Sequence, residues 1–327
     1  MRIITRSEVE RLLPVADCVD IMRQAMLVTS RRDVTLPIRQ FMPIPDAPGK
    51  LAIMPGTLGD PACFGIKLVC KYDRPHGDPL GTHVGMVMLF DSAKGEPLAM
   101  IEGSSLTAIR TSAASALATD ILARKNATRL AIIGNGEQAM RHVHAMMAVR
   151  SIDNITVWGR DAGRSACFAE AVEAATGIPA QSCGSSATAV SGADIICTTT
   201  AAKSPVLFGK DLKAGQHVNL VGAAIPTAAE IDDEAVAKGR FYVDYEEAAM
   251  AAAGELLGAI ERGLVTERHI VGEIGNVIAG SAAGRANDDE ITIYKSLGLA
   301  SQDLAAAHAV WHMAEAEDRG MAIDLLA

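Results

Sequence analysis

One short stretch constrains the fold of this chain more than any other: an apolar run followed directly by a glycine-rich loop. Residues 130–133 are all aliphatic, which is typical of a parallel strand buried on both faces. Residues 134–139 then read G-x-G-x-x-A and open a helical pattern. In this setting Gly134 permits a tight turn, Gly136 lets a pyrophosphate approach the backbone, and Ala139 permits close helix–strand packing. The stretch therefore predicts a dinucleotide-binding loop, with a plain structural turn as the alternative.

Strand and helix patterns alternate beyond this loop. Helices are predicted at 138–149 and 164–175, and strands at 155–158, 194–198, 218–221 and 241–244. Such alternation is typical of a parallel sheet with helices on both faces. We therefore predict an α/β chain with a Rossmann-type doubly wound domain over residues 125–298.

The first hundred residues have a different pattern, a helix followed by consecutive strands. Thr5 and Glu8 have the spacing of a capping box at the start of the helix. Strands are predicted at 37–42, 51–54, 65–71, 85–91 and 98–102, and a helix rich in small residues at 106–123. Short connections between consecutive strands indicate an antiparallel sheet. We expect a smaller α+β domain made of residues 1–124 and 299–327, the latter containing a helix at 302–318.

Composition and charge exclude several classes of protein. Acidic residues number 39 and basic residues 30, a net charge of −9, which disfavours nucleic acids and anionic membranes as partners. Apolar residues make up 49% and charged residues 21% of the chain, which excludes wholesale disorder. No apolar run approaches the roughly 18 residues that span a bilayer. We expect a small-molecule partner.

The cysteines and the N-terminal segment indicate the compartment. None of the six cysteines forms a C-x-x-C pair or has a histidine at zinc-finger spacing, so we expect reduced thiols and no metal site. The first residues are charged and amphipathic and lack the apolar region of a signal peptide. Both observations favour a cytoplasmic protein.

The end of the second strand of the doubly wound domain bears on the choice of cofactor. Gly159 and Arg160 stand at that strand end, and Asp161 follows. A guanidinium pairs with the 2′-phosphate of NADP, whereas a carboxylate binds the ribose diol of NAD. The pattern favours NADP and leaves NAD open, and Arg160 and Arg164 alternatively form a solvated face. The predicted cofactor-binding residues of this part are Gly134, Asn135, Gly136, Glu137, Gln138, Ala139, Gly159, Arg160, Asp161 and Arg164.

Four basic residues in the N-terminal half are candidates for binding or catalysis. Arg39 lies on a predicted strand, Lys67 among apolar residues, and Arg110 among small residues without a local acidic partner. A charge in such surroundings must be paired or face a cavity, because burying it alone is costly. Either a substrate carboxylate or a distant Asp or Glu is the partner. His83 is a candidate proton donor, although it alternatively serves a turn.

The sequence also resembles a known family. The shared stretches are 65–67 (GIK), 95–103, 106–112 (LTAIRTS), 134–139, 242–244 (YVD), 273–280 and 291–303 (ITIYKSLGLASQD). In this combination the chain resembles the ornithine cyclodeaminase/mu-crystallin family over nearly its whole length.

The resemblance implies a homodimer whose smaller domain binds the substrate and forms the dimer contact. Family members reduce imines of 2-oxo acids with NAD(P)H, oxidise alanine, or cyclise ornithine or lysine with a recycled NAD. Residues matching Arg39, Lys67 and Arg110 hold the substrate carboxylate beside the nicotinamide, and the lysine is also placed for proton chemistry. The further residues implied to line the cofactor are Thr198, Thr199, Thr200, Val221, Gly222, Ala223, Ser296 and Gly298.

Two residues depart from the pattern of particular members. Cyclodeaminases of the family carry an aspartate at the position of Ala224, which cannot ionise, so ornithine cyclisation and alanine oxidation by the same acid become doubtful. Mu-crystallin-like ketimine reductases also lack that acid, but they carry an arginine at the position of Ile225.

The resulting hypothesis is an NAD(P)H-dependent imino-acid reductase. Its substrate is a cyclic ketimine such as pyrroline-2-carboxylate or an open-chain imine such as iminosuccinate. Arg39 and Arg110 are expected to fix the carboxylate, and Lys67, or secondarily His83, to supply the proton. The alternatives are an ornithine cyclodeaminase and a non-catalytic, crystallin-like protein that binds NADPH or another ligand.

Overall fold

The computed structural model describes residues 1–75, 78 and 80–325, and the chain forms two compact units. The first unit comprises Met1–Arg110 and Leu299–Ala327, and the second comprises Thr111–Gly298. The division falls inside the helix Gly103–Leu122, whereas the sequence pattern changes only after residue 124. The residue pattern of a helix continues to its last residue, whatever the helix packs against. A domain boundary predicted from this pattern therefore falls at the end of the helix and not inside it.

The regular elements follow one another in a fixed order along the chain. They are β1 (Arg2–Ile4), α1 (Arg6–Leu12), α2 (Val15–Ser30), β2 (Val34–Thr35), β3 (Gln40–Pro43), β4 (Lys50–Leu58), β5 (Cys63–Lys71), β6 (His83–Asp91), β7 (Pro97–Glu102), α3 (Gly103–Leu122), β8 (Arg129–Ile133), α4 (Glu137–Val149), β9 (Asn154–Trp158), α5 (Ala162–Thr176), β10 (Ala180–Ser182), α6 (Ser186–Val190), β11 (Ile195–Thr198), β12 (His217–Leu220), α7 (Asp233–Lys238), β13 (Arg240–Val243), α8 (Glu246–Ala252), α9 (Gly254–Glu261), β14 (Ile270–Glu273), α10 (Ile274–Ile278), β15 (Thr292–Lys295), α11 (Ala300–Ala316) and β16 (Met321–Ala322). Short 3-10 helices lie at Gly209–Asp211 and Glu267–His269.

The first unit is built on a sheet in the order β16-β1-β7-β6-β5-β4-β2, with β3 also paired to β4. The strands from β2 to β7 pair antiparallel, as predicted, while β1 joins β7 in parallel. Helix α11 lies across β4 and β5 and also packs on α2. A methyl group added to Gly65 would come within 2.8 Å of Leu304, so the missing side chain lets α11 approach the sheet.

The second unit contains a parallel sheet in the order β10-β9-β8-β11-β12-β15-β13-β14. The order reverses at β8, as in a doubly wound fold, and confirms the predicted fold class. The interior is largely aliphatic, with Ile132, Ile196 and Val218 fully buried. Strand β15 inserts between β12 and β13 and was not predicted. It reads TIYK and has polar residues at both ends, so it lacks the apolar run that reveals the other buried strands.

Among the residues that the structure describes, no helix combines the length and the apolar character needed to cross a membrane.

Candidate active site

Two basic residues of the first unit converge on one buried carboxylate. Lys67 extends from the middle of β5, and its Nζ lies 3.0 Å from Oδ1 of Asp303 in the first turn of α11. Arg110 in α3 donates from Nε to the same oxygen at 2.8 Å. All three residues are at least 96% buried. The distant acid that the sequence left open as a partner is therefore Asp303, which was not among the predicted site residues.

The cluster carries more positive than negative charge. Arg110 also donates from Nη1 to Oε1 of Gln302 at 2.9 Å, which fixes the guanidinium plane. The second oxygen of Asp303, Oδ2, is buried and accepts no hydrogen bond from the described residues. One carboxylate thus faces two basic groups, and an additional anion bound here would meet a net positive potential.

Arg39 belongs to the same surroundings, although its local structure differs from the prediction. Strand β3 begins only at Gln40, so Arg39 lies in the irregular segment before it and not on a strand. A proline two residues earlier delays the start of strand pairing, because proline offers no N–H to a ladder. The positive charge of Arg39 acts on Lys67 and lowers the pKa of its amine.

The ionisation of the cluster follows from burial and from charge. Burial lowers the pKa of Lys67 to about 7, with Asp303 opposing this shift and Arg110 and Arg39 reinforcing it. For Asp303, burial alone would raise the pKa, but the charges of Arg110 and Lys67 and their hydrogen bonds hold it below its usual value. At neutral pH the carboxylate is ionised and the lysine is poised between its two protonation states.

His83 has a different environment from Lys67. It begins β6 at an exposed position, and its Nδ1 lies 2.8 Å from Oγ1 of Thr82. Desolvation by the surrounding protein, followed by the charges of Lys71 and Lys67, lowers the pKa of its ring to about 4. The imidazole is consequently neutral at pH 7, so His83 is the weaker of the two candidate proton donors.

In the second unit, the loop between β8 and α4 has the shape that its glycines predicted. Gly134 adopts a φ of 119°, where a side chain would be strained, and a Cβ there would lie 2.9 Å from the Thr199 carbonyl oxygen. Gly136 caps α4, and the position of its missing Cβ faces open space. Ala139 is completely buried. The N–H groups that begin α4 therefore have room for a phosphate.

The residues at the end of β9 have separate tasks. The Asp161 carboxylate accepts a hydrogen bond from the backbone N–H of Arg164 at 2.9 Å and caps α5. Gly159 leaves room for the amide of Asn135, which donates to Ser165 at 3.3 Å. Arg160 is exposed. The Asp161 carboxylate is thus engaged as a helix cap, and Arg160 and Arg164 are exposed basic groups at this strand end.

A buried glutamate joins two loops that carry predicted cofactor-binding residues. Both oxygens of Glu230 accept hydrogen bonds, from two segments of the chain. The donors among the described residues are Thr198 Oγ1 at 2.8 Å, Thr200 N and Oγ1 at 2.9 and 2.8 Å, Gly222 N at 2.7 Å and Ala223 N at 3.3 Å. Glu230 thus fixes residues 198–200 relative to residues 221–223, and sequence reasoning did not identify it.

A second buried carboxylate positions a third loop. Asp244, directly after β13, accepts hydrogen bonds from the backbone N–H groups of Leu297 and Gly298 at 2.8 and 2.9 Å. The neighbouring Ser296 hydroxyl is buried and has no hydrogen-bond partner among the described residues. Such a hydroxyl, together with the open space at Gly136, fits a bound dinucleotide that completes its hydrogen bonding. Thr199 and Val221, predicted to line the same cofactor, lie in the loops that Glu230 fixes.

Known proteins resemble this chain in sequence and in structure. A model described as the ornithine cyclodeaminase/mu-crystallin family matches residues 1–318. The chain is 38% identical to a Δ1-pyrroline-2-carboxylate reductase of Bacillus cereus over 327 residues, which cover 99% of this chain and all of the relative. The structure of Thermococcus litoralis Δ1-pyrroline-2-carboxylate reductase with NADH and L-proline superposes with a TM-score of 0.94 at 31% identity, covering 99% of this chain and all of that one. A dimeric archaeal alanine dehydrogenase with bound NAD gives 0.92 at 30% identity, covering all of this chain and 99% of that one.

Proposed function

The chain belongs to the ornithine cyclodeaminase/mu-crystallin family, and we propose that it reduces the C=N bond of a 2-imino acid with NADH or NADPH to an L-amino acid. The observation that carries the proposal is the buried cluster of Lys67, Arg110 and Asp303, in which two basic groups share one carboxylate oxygen. Its surplus positive charge suits the carboxylate of an imino acid, and a guanidinium offers that carboxylate two parallel donors.

The residues of the first unit have distinct roles in this reaction. Arg110, held by Gln302, and Arg39 bind the substrate carboxylate and fix the orientation of the adjacent C=N bond. Lys67, with its pKa of about 7, donates a proton to the imine nitrogen and makes the carbon more electrophilic. The nitrogen gains this proton and the carbon gains a hydride, so the C=N bond becomes CH–NH. The lysine regains its proton from solvent.

The second unit holds the cofactor. When bound, the reduced nicotinamide supplies the hydride. The start of α4 offers backbone N–H groups to the pyrophosphate, and the loops fixed by Glu230 and Asp244 bind the rest of the dinucleotide. We infer that NADPH is preferred to NADH, because Arg160 is exposed at the end of β9 while the Asp161 carboxylate is engaged as a helix cap.

We also infer that the protein forms a homodimer and is located in the cytoplasm. The first unit is assigned the substrate-binding and dimer-forming role, and the dimeric archaeal alanine dehydrogenase supports a homodimer. The six cysteines are all free thiols, which supports a reducing, cytoplasmic compartment.

Initial-rate assays with purified protein test the proposed activity. NADH and NADPH oxidation is followed with pyrroline-2-carboxylate, with piperideine-2-carboxylate, and with ammonium plus a 2-oxo acid. We expect turnover with at least one of these imines and formation of the L-amino acid. Tight cofactor binding without oxidation by any of them would instead identify a binding protein and overturn the proposal.

A further inference from the structure

A row of basic side chains crosses the sheet of the first unit, outside the cluster that we assign to the substrate carboxylate. Lys71, at the end of β5, lies directly opposite Lys50 of β4 on one side and His83 of β6 on the other. We call Lys50, Lys71 and His83 the basic row. Like charges directly opposite each other on neighbouring strands destabilise a sheet. A chain with a net charge of −9 nevertheless places Lys50 and Lys71 opposite each other.

The positive charge of the basic row lies on its two lysines, because the His83 imidazole is neutral at pH 7. In the part of the chain that the structure describes, neither Lys50 nor Lys71 forms a salt bridge, and Asp73 is the acid whose charge acts on Lys71. Lys50 lies 4.4 Å from the centre of the Phe41 ring, a contact that leaves its charge uncompensated. Partial burial lowers the pKa of Lys71, and the charge of Lys50 on the neighbouring strand lowers it further.

The basic row lies on the same face of the sheet as Lys67. Alternate residues of a strand point to the same face, so Lys67 and Lys71 share it, and their Cα atoms are about 13 Å apart at 3.3 Å per residue. Between them on this face lies Val69, opposite Ala52 and Gly85. The surface of the sheet between Lys67 and the basic row therefore carries small side chains.

Arg39 connects the two groups electrostatically. Its charge acts on Lys67, on Lys71 and on His83, lowering the pKa of each. The positive potential consequently extends from the buried cluster along this face to the basic row. A ligand with one carboxylate would compensate the charge at the cluster and leave the basic row uncompensated.

We propose that the basic row binds a second anionic group of the substrate, which makes the preferred substrate a dicarboxylic 2-imino acid. One carboxylate is held by Arg110 and Arg39, and the other, at the end of the substrate side chain, by Lys71 and Lys50. The proposal rests on the proposed imine reduction and names its substrate class. It assigns Lys71 a role in specificity and none in the proton or hydride step.

Selectivity measurements on variants of the full chain test this role. The kcat/KM for imines formed from ammonium and a dicarboxylic 2-oxo acid (oxaloacetate or 2-oxoglutarate) is compared with that for ammonium and pyruvate. For Lys71→Met we expect about a tenfold loss with the dicarboxylic substrates and less than about a twofold change with pyruvate. Lys50→Met should act in the same direction. Lys94→Met, an exposed lysine in the connection between β6 and β7, is the matched control and should change neither value.

The outcomes separate the two proposals. Equal losses with both classes of substrate, or no loss with either, would overturn the role of the basic row. So would a wild-type enzyme that reduces only monocarboxylic imines, although the proposed reduction would then stand. If Lys71→Met changes only the inhibition by inorganic phosphate, the basic row binds a separate anion. This result would also overturn its role in substrate selectivity. If neither these imines nor the cyclic ketimines pyrroline-2-carboxylate and piperideine-2-carboxylate are reduced, the proposed reduction itself fails.

Discussion

Lys67 and Asp303 form a buried ion pair, 3.0 Å between Nζ and Oδ1, although 236 positions separate them in the chain. The pair does not neutralise the site, because Arg110 shares the same oxygen. Burial at the same time favours the uncharged amine, which places the pKa of Lys67 near 7. The lysine is therefore both held in position and able to exchange a proton at neutral pH.

Replacing Lys67 with methionine should abolish turnover. Methionine retains an unbranched side chain of similar length but has no proton to donate, so we expect imine-dependent NAD(P)H oxidation to fall by about 100-fold or more. Binding of NADPH, measured by fluorescence titration, should remain at the wild-type level, because the predicted cofactor-binding residues lie in the second unit. Retained turnover would remove Lys67 from the mechanism.

The pH dependence of the wild-type enzyme should report the same lysine. The protonated amine is the reactive form, so kcat/KM should be constant below about pH 7 and fall about tenfold per pH unit above it. Lys67→Arg keeps a charge that does not titrate in this range, and any residual activity should lack this alkaline decline. Rates that increase through pH 7 would indicate a general base and contradict the assignment.

The sequence predicted those features whose signal is local. Lys67 on its strand and the loop from Gly134 to Ala139 depend on neighbours in the chain, and both have the predicted local structure. Asp303, Glu230 and Asp244 were missed. Asp244 and Asp303 fall inside the shared stretches 242–244 and 291–303, but nothing in their local pattern indicates a role, and Glu230 lies outside those stretches. Their partners are distant side chains or backbone N–H groups, and the residue type does not reveal which N–H groups will need an acceptor. Only the folded chain brings these groups together.

Arg160 should set the preference between the two nicotinamide cofactors. In Arg160→Ser the group assigned to the 2′-phosphate is missing, and we expect the KM for NADPH to rise about tenfold while that for NADH changes little. Arg268→Ser, an exposed arginine elsewhere in the second unit, is the control and should alter neither KM. An equal rise in both KM values would indicate that Arg160 binds the pyrophosphate. No change in either KM would indicate that Arg160 is a surface residue without a role in cofactor binding.

Ornithine should not be cyclised by this enzyme. The position that is aspartate in cyclodeaminases is Ala224, which offers no group to handle protons at the reacting amine. We expect no ammonia release above background when the protein is incubated with ornithine and NAD, measured by a coupled glutamate dehydrogenase assay. Proline formed together with stoichiometric ammonia would instead identify a cyclodeaminase that works without this acid.

Glu230 should determine cofactor affinity without touching the substrate. In Glu230→Gln one acceptor oxygen becomes an amide that donates hydrogen bonds. It then faces either the two donors of Thr200 or the donors of Thr198, Gly222 and Ala223, leaving buried N–H or O–H groups unsatisfied at a cost of about 1–3 kcal/mol. Because the two loops lose their common anchor, we expect the Kd for NADPH to rise about tenfold.

The control for this change is Glu234→Gln, which removes a carboxylate on α7 whose side chain is 48% exposed and which pairs with Lys238. It should leave the Kd unchanged. The pH profile of kcat/KM at saturating cofactor should be the same in Glu230→Gln as in the wild type, since Lys67 lies in the other unit. A variant with lower thermal stability but unaltered NADPH affinity would show that Glu230 stabilises the fold and does not position the cofactor loops.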